Sequence, residues 1–150
     1  MHLALIIPDV RGGGAQKMMI NLANEFVAKG HQLDLVLINK TGSYIDLIDS
    51  RVNIINLKKS RTLFSILKLA GYLRTKNPDI ILSALFHVNL AVILAKGFSV
   101  KSNTKVILSE RNHLSLRLSE MGIVNRLLLK SGVRFLYPFA DRIIAISDGV

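Results

Sequence analysis

A doubly wound α/β fold, with a parallel sheet covered by helices on both faces, follows from three features of the 150-residue sequence. Apolar runs and turn signals alternate along its whole length as strand, loop and helix. Half of the residues are hydrophobic, enough in a chain of this length for one substantial core and one domain. A glycine-rich loop joins the first apolar run to a strongly amphipathic helix, a junction typical of such folds.

The elements follow in order. Leu3 to Ile7 is the first strand. In the next segment Ala15, Met18, Met19, Leu22, Ala23, Phe26 and Val27 all keep helical spacing, and Lys29-Gly30 supplies a basic last turn and a glycine stop. His31 to Ile38 reads as the second strand, Val52 to Leu57 as the third, Asp79 to Leu85 as the fourth, Lys105 to Ser109 as the fifth and Asp141 to Ile146 as the sixth. Further helices are expected near residues 62 to 75, 88 to 98 and 122 to 137, with Pro138 ending or kinking the last. Ser147-Asp148-Gly149 places a serine N-cap after the sixth strand, so another helix, and a second domain, are expected beyond Val150.

The loop Pro8-Asp9-Val10-Arg11-Gly12-Gly13-Gly14-Ala15-Gln16 points to phosphate. Its three glycines allow positive φ and bring bare N–H groups to a helix N-terminus, where the macrodipole favours an anion. A tight exit from strand to helix is the competing explanation. Gln16-Lys17-Met18 lacks the hydroxyl that a P-loop uses to hold magnesium, which argues against a Walker-type nucleotidase. Lys17 stands where a dinucleotide fingerprint needs its third glycine, and the second strand ends Leu37-Ile38-Asn39-Lys40 without a ribose-binding acid. A nicotinamide dehydrogenase fits poorly.

Composition narrows the classes further. The absence of cysteine removes disulfide and thiolate chemistry and suits a reducing cytosol. The four histidines, His2, His31, His87 and His113, form no close pair, so no metal is expected. No basic leader precedes the first strand, so no signal peptide is read. The most apolar stretch, Ala84 to Ala95, is interrupted by His87 and Asn89 and is shorter than the roughly 20 residues a bilayer requires. A formal charge of +10 attracts nucleic acid, anionic lipid or phosphorylated substrates. The usual nucleic-acid signatures, a helix-turn-helix, an aromatic RNP strand or a zinc finger, are missing.

Ligands of doubly wound folds bind outside the carboxyl ends of the strands. Here those ends carry Pro8 to Gln16, Asn39 to Tyr44, Phe86-His87-Val88-Asn89, Glu110-Arg111-Asn112-His113 and Ser147-Asp148-Gly149, a polar rim above an apolar sheet.

The Gly-Gly-Gly-Ala-Gln loop, Asn21-Leu22-Ala23 in its helix, the Lys29-Gly30-His31 turn and the closing Ala140-Asp141-Arg142-Ile143-Ile144-Ala145-Ile146-Ser147 together resemble family 4 glycosyltransferases of the GT-B fold. Ser109-Glu110-Arg111-Asn112-His113 and Tyr137-Pro138-Phe139-Ala140-Asp141 are most similar to bacterial members that build polysaccharides or lipid-linked glycans. The resemblance spans the chain. It implies a Rossmann-like, acceptor-side half of a two-domain, hexosyltransferase-type enzyme, whose donor-binding half lies outside this chain, so the isolated chain is expected to be inactive. It also implies a nucleotide-sugar donor, transfer with retention, and no metal or other cofactor.

By the same resemblance, Gly12, Gly13, Gly14 and Gln16 approach the donor diphosphate and His87 lines the reaction centre, where an imidazole donates to a sugar hydroxyl or phosphate. A helix-capping role is the alternative for His87. Glu110 and Arg111 would orient acceptor hydroxyls and phosphate, with Asn112 and His113 beside them. Pairing with each other or with solvent is the plainer role for that carboxylate and guanidinium.

Six basic residues, Lys58, Lys59, Arg61, Lys68, Arg74 and Lys76, and no acid lie between Leu57 and Asn77. On a helical wheel Leu63, Ile66, Leu67, Ala70 and Leu73 share the core face, leaving Phe64 and Tyr72 outward near Arg61, Lys68 and Lys76. Aromatic and basic residues on one outward face suit an anionic membrane surface. Arg126, Lys130 and Arg134 recur every four residues, a repulsive spacing that an external anion relieves. The combined expectation is a cytoplasmic enzyme, peripheral on the inner face of a bacterial membrane, acting on a glycan or lipid-linked acceptor and not on nucleic acid. A non-catalytic phospho-ligand or membrane-binding module is the alternative from another class.

Overall fold

A computed structural model describes residues 1–99, 102–110, 131–132 and 134–145. Strands β1 (His2–Ile7), β2 (Gln32–Leu37), β3 (Asn53–Asn56), β4 (Ile80–Ala84), β5 (Lys105–Glu110) and β6 (Arg142–Ala145) form one parallel sheet in the order β3-β2-β1-β4-β5-β6. The expected doubly wound α/β architecture is the one observed.

Alternate residues of each strand face opposite sides, so one sheet needs two cores. On one side Leu3, Leu5, Ile7, Leu33, Leu35 and Leu37 pack against α1 (Gly14–Ala28), whose Met19, Ile20, Ala23 and Val27 are buried. On the other, Ala4, Ile6, Val36, Ile81, Val106 and Leu108 pack against α2 (Ile66–Lys76) and α3 (Phe86–Gly97). The third helix thus starts before the expected residue 88. Short 3-10 turns also cover Ser43–Leu47, Thr62–Ser65 and Tyr137–Phe139. Pro138 sits in the last of these, after helical residues 134–136, while residues 122–130 and the expected cap at Ser147 lie outside the described residues.

The wheel drawn for the second basic helix needs correction. Leu63 and Leu67, expected in the core, are 69% and 72% exposed, whereas Tyr72, expected to face the membrane, is 6% exposed. The cause is a buried acid. Asp34, in the middle of β2, is 1% exposed, and its carboxylate accepts from Tyr72 OH (2.7 Å), Asn53 Nδ2 (2.7 Å) and His2 Nε2 (2.9 Å). A carboxylate under a helix needs donors from that helix. Tyr72 turns inward to supply one, Leu69 joins Ile66, Ala70 and Leu73 in the core, and Leu67 rotates out.

Burial, and then the bond to Asp34, push the Tyr72 phenol above its ordinary value of 10.0. Tyr137 is raised by burial and then by its bond to Glu110. In both cases the folded protein favours the neutral form. Their stabilisation is therefore complete below pH about 10, where unfolded tyrosine ionises, and is lost as pH rises above it. Urea midpoints measured at pH 9 and pH 11 should fall with pH, and Tyr72→Phe should flatten that fall; an unchanged slope would show that Tyr72 ionises as freely folded as unfolded.

Candidate active site

The strand order reverses between β1 and β4, and a cleft of about 590 Å³ opens above the carboxyl ends of four neighbouring strands. Pro8, Asp9, Arg11 and Gln16 come from the β1 to α1 connection; Ile38, Asn39 and Thr41 follow β2; Lys59, Ser60, Arg61 and Thr62 follow β3; Leu85 and His87 follow β4. This is where the topology of a doubly wound sheet places a ligand.

The glycine loop is built to expose amides. Gly12 and Gly13 have φ of 139° and 120°, a region that L side chains avoid. Lys17 N donates the first helical bond to Gly13 O (3.0 Å), and among the described residues no side chain caps α1, so the amides of Gly14, Ala15 and Gln16 have no intrahelical acceptor. Among the described residues a Cβ on Gly14 would meet nothing within 4 Å. The loop is open on its outer side. Beside it Asp9, 7% exposed, accepts from Arg11 N (3.2 Å) and Arg11 Nε (2.8 Å), closing the acid with its own neighbour.

The opposite wall is fixed through backbone. Val10 N donates to Thr41 O (3.0 Å) and Tyr44 N to Val10 O (3.0 Å), so the loop after β2 clasps the loop after β1 at Gly42. Asn56 Oδ1 accepts from Lys40 N (3.2 Å) and Lys58 N (2.9 Å), and Lys59 N donates to Ile38 O (2.9 Å). Lys58 itself takes φ of 53° to complete this turn. Residues 59 to 62 thereby line the cleft.

His87 is exposed at the second position of α3, whose N-cap is Leu85, so it lines the cleft and does not occupy the N-cap. Leu85 adopts φ of 78°, and its carbonyl accepts from Val88 N and Asn89 N, both at 2.9 Å. Strain of this kind persists where surrounding structure enforces it. The enforcement comes from beneath: Asn89 accepts from Ser83 Oγ (2.7 Å) and donates through Nδ2 to Glu110 Oε2 (3.1 Å).

Glu110, expected to meet an acceptor, is instead 6% exposed in this buried network, where Tyr137 OH also donates to Oε2. Its other oxygen, Oε1, is buried without a partner among the described residues. It holds the turn that carries His87. Arg111, Asn112 and His113 lie outside the described residues. Of the cations expected on a membrane face, Arg61 lines the cleft, Lys68 is exposed with Nζ turned to Leu57 O (2.8 Å), Lys76 and Arg134 are exposed, and Arg126 and Lys130 lie outside the described residues. Asn39, Thr41 and Gly42 are signalled in the sequence only by their position after a strand, Lys59 only by its charge, and Ser60 and Thr62 by nothing.

Residues 12–150 match the model of Glycosyltransferase Family 4. No curated protein matches the sequence significantly. Among solved structures, the chain is similar to the apo form of a lipopolysaccharide outer core galactosyltransferase, WaaB (TM-score 0.68, 14% identity), covering 99% of this chain and 40% of that one. It is also similar to Acinetobacter baumannii MurG (TM-score 0.61, 17% identity), with 99% and 42% covered. A short-chain dehydrogenase/reductase from Burkholderia vietnamiensis shares the fold as well (TM-score 0.55, 16% identity), with 98% and 84% covered. At these identities the structural likeness establishes the fold, and the family model carries the distinction. The chain spans about two fifths of the length of the two transferases.

Proposed function

From the premise that this chain belongs to glycosyltransferase family 4, we propose that it is the acceptor-side, Rossmann-like domain of a hexosyltransferase-type enzyme that moves a sugar from a nucleotide-sugar to a bacterial polysaccharide or lipid-linked glycan. The observation that carries the reading is the cleft at the β1/β4 switch point, lined by Gln16 in the uncapped first turn of α1 on one side and by His87 on another.

In this reading the amides of Gly14, Ala15 and Gln16 face charge that develops on the departing diphosphate, and the side chain of Gln16 steadies it. Fixed dipoles aimed at developing charge need no reorganisation during the reaction. His87, held by the Leu85 turn and the Asn89–Glu110 network, donates to a sugar hydroxyl or phosphate. The reaction retains configuration, needs no metal, and requires a second domain to close over the donor; the chain alone is inactive. Transfer of labelled sugar from a panel of nucleotide-sugars by the full-length enzyme tests this. His87→Ala should lower kcat about a hundredfold with the fold intact, in line with the loss of one acid–base group. Wild-type turnover in that variant, or no transfer from any donor by the wild type, would remove the reading.

The membrane is the proposed location of the acceptor, at the cytoplasmic face. Leu63, Phe64 and Leu67 are 69%, 58% and 72% exposed beside Lys58, Arg61 and Lys68, a ridge of apolar side chains flanked by cations. Among the described residues no helix is long and apolar enough to cross a bilayer. Such a ridge lies in the headgroup layer, gaining about 1 kcal/mol per cation near anionic lipid. Flotation should be strong with vesicles containing anionic lipid and weak with neutral ones, and Leu63→Ser with Phe64→Ser should abolish it; equal flotation on both vesicle types refutes the electrostatic part.

A further inference from the structure

Resting on the glycosyltransferase reading, we propose that the acceptor carries an anionic group of the phosphate class, which Lys59 and Arg61 bind at the β3 side of the cleft. Among the described residues that line the cleft the one carboxylate, Asp9, is already closed by Arg11. Lys59 and Arg61 have no ion pair among the described residues. Two cations on one wall repel each other unless an anion sits between them or water screens them. Ser60 and Thr62 place hydroxyl groups in the same segment. The guanidinium fork suits phosphate oxygens, and the ammonium adds a point charge.

The wall is preorganised. Lys58 is held in left-handed backbone by Asn56 Oδ1, and Lys59 N is tied to Ile38 O, so the segment is fixed before a ligand arrives. Its location separates it from the donor. β3 is two strands away from β1, about 10 Å at ordinary strand spacing, and Gly12, Gly13 and Gly14 are not among the residues lining the cleft. The diphosphate is assigned to the β1 side of the cleft, at Gln16, and the anion proposed here to its β3 side. Thr62 also opens the 3-10 turn that continues into exposed Leu63 and Phe64, so the anion lies between the cleft and the apolar ridge. An acceptor with its charge next to a lipid anchor matches that order.

The test titrates the full chain with inorganic pyrophosphate and follows backbone amide shifts in wild type and in Lys59→Gln/Arg61→Gln. Wild type should shift at residues 59 to 62, and the double variant should bind at least tenfold more weakly while melting as wild type does. Equal binding by the two proteins, or wild-type shifts confined to residues 12 to 16, overturns the proposal. Flotation on neutral vesicles doped with phosphatidic acid then assigns the source. Competition by pyrophosphate identifies the anion as a lipid headgroup, and pyrophosphate binding without competition identifies a soluble phospho-acceptor; both uphold the site. Sugar transfer by the full-length enzyme separates the two readings. Transfer with pyrophosphate binding indifferent to Lys59 and Arg61 removes only the anion site, and binding lost in the double variant without any transfer removes only the enzyme reading.

Discussion

Replacing Gly42 by alanine should lower the unfolding free energy by about 3 to 5 kcal/mol, the sum of backbone strain, overpacking and weakened hydrogen bonds. The added Cβ would lie 2.1 Å from Arg11 N and from Val10 C and 2.2 Å from Val10 O, and Gly42 holds φ of 135°. All three neighbours are backbone atoms. They cannot swing aside as a side-chain tip would, so the loop after β2 must lift off the loop after β1 and stretch the Val10–Thr41 and Tyr44–Val10 bonds. That clasp forms a wall of the cleft, so ligand binding should weaken together with stability. Gly14→Ala is the control: it sits in the first turn of α1 at ordinary φ with nothing within 4 Å, and alanine there should be neutral or stabilise by up to about 1 kcal/mol. Urea unfolding of the two variants decides the matter; equal midpoints would mean the clasp does not hold the cleft wall.

Gly42 also shows why part of the site could not be read from sequence. The triple glycine stands out by composition in the loop after β1, and His87 by its place just after β4; a doubly wound sheet puts such positions at one edge. A lone glycine in Thr41-Gly42-Ser43 carries no such mark. Its necessity arises from a second loop about thirty residues away in sequence, between β1 and α1, and from the pairing of β2 with β1 that brings the loops together. Lys59 and Arg61 were hidden for the same reason. Their charge was evident, yet only the order β3-β2-β1-β4 sets them in one cleft with Gln16 and His87. Arg61 was read as facing a membrane, and it occupies the seam where cleft and apolar ridge meet.

The strands and helices themselves were legible because apolar runs and turn residues are local. Six strands and their order of connection follow from that pattern, and their ends move by only a residue or two. The rotation of α2 was different. A helical wheel weighs hydrophobicity alone, and on that basis leucine outranks tyrosine for the core. A hydrogen bond to a buried carboxylate outweighs that preference. Glu110 followed the same logic: a carboxylate at a strand end looked like a ligand contact, but Tyr137 and Asn89, distant in sequence, supply donors that bury it.

Asp34→Ala should be similarly destabilising, by about 3 to 5 kcal/mol, because breaking a buried charged network from one side strands its other members. Of the three donors, Asn53 is exposed and the His2 side chain is partly so, and both can turn to water. Tyr72 cannot. Its hydroxyl would remain under α2 without an acceptor, next to the space the carboxylate leaves. If the cost lies in the orphaned hydroxyl and the cavity, then Asp34→Leu combined with Tyr72→Phe removes both ends of the bond and fills the space. That pair should unfold within about 1 kcal/mol of wild type, although each change alone is costly. Guanidinium unfolding at pH 7 of the two singles and the double measures the coupling directly. Strictly additive losses would show that Asp34 acts through its other partners and that the inward turn of Tyr72 has some cause other than the buried acid.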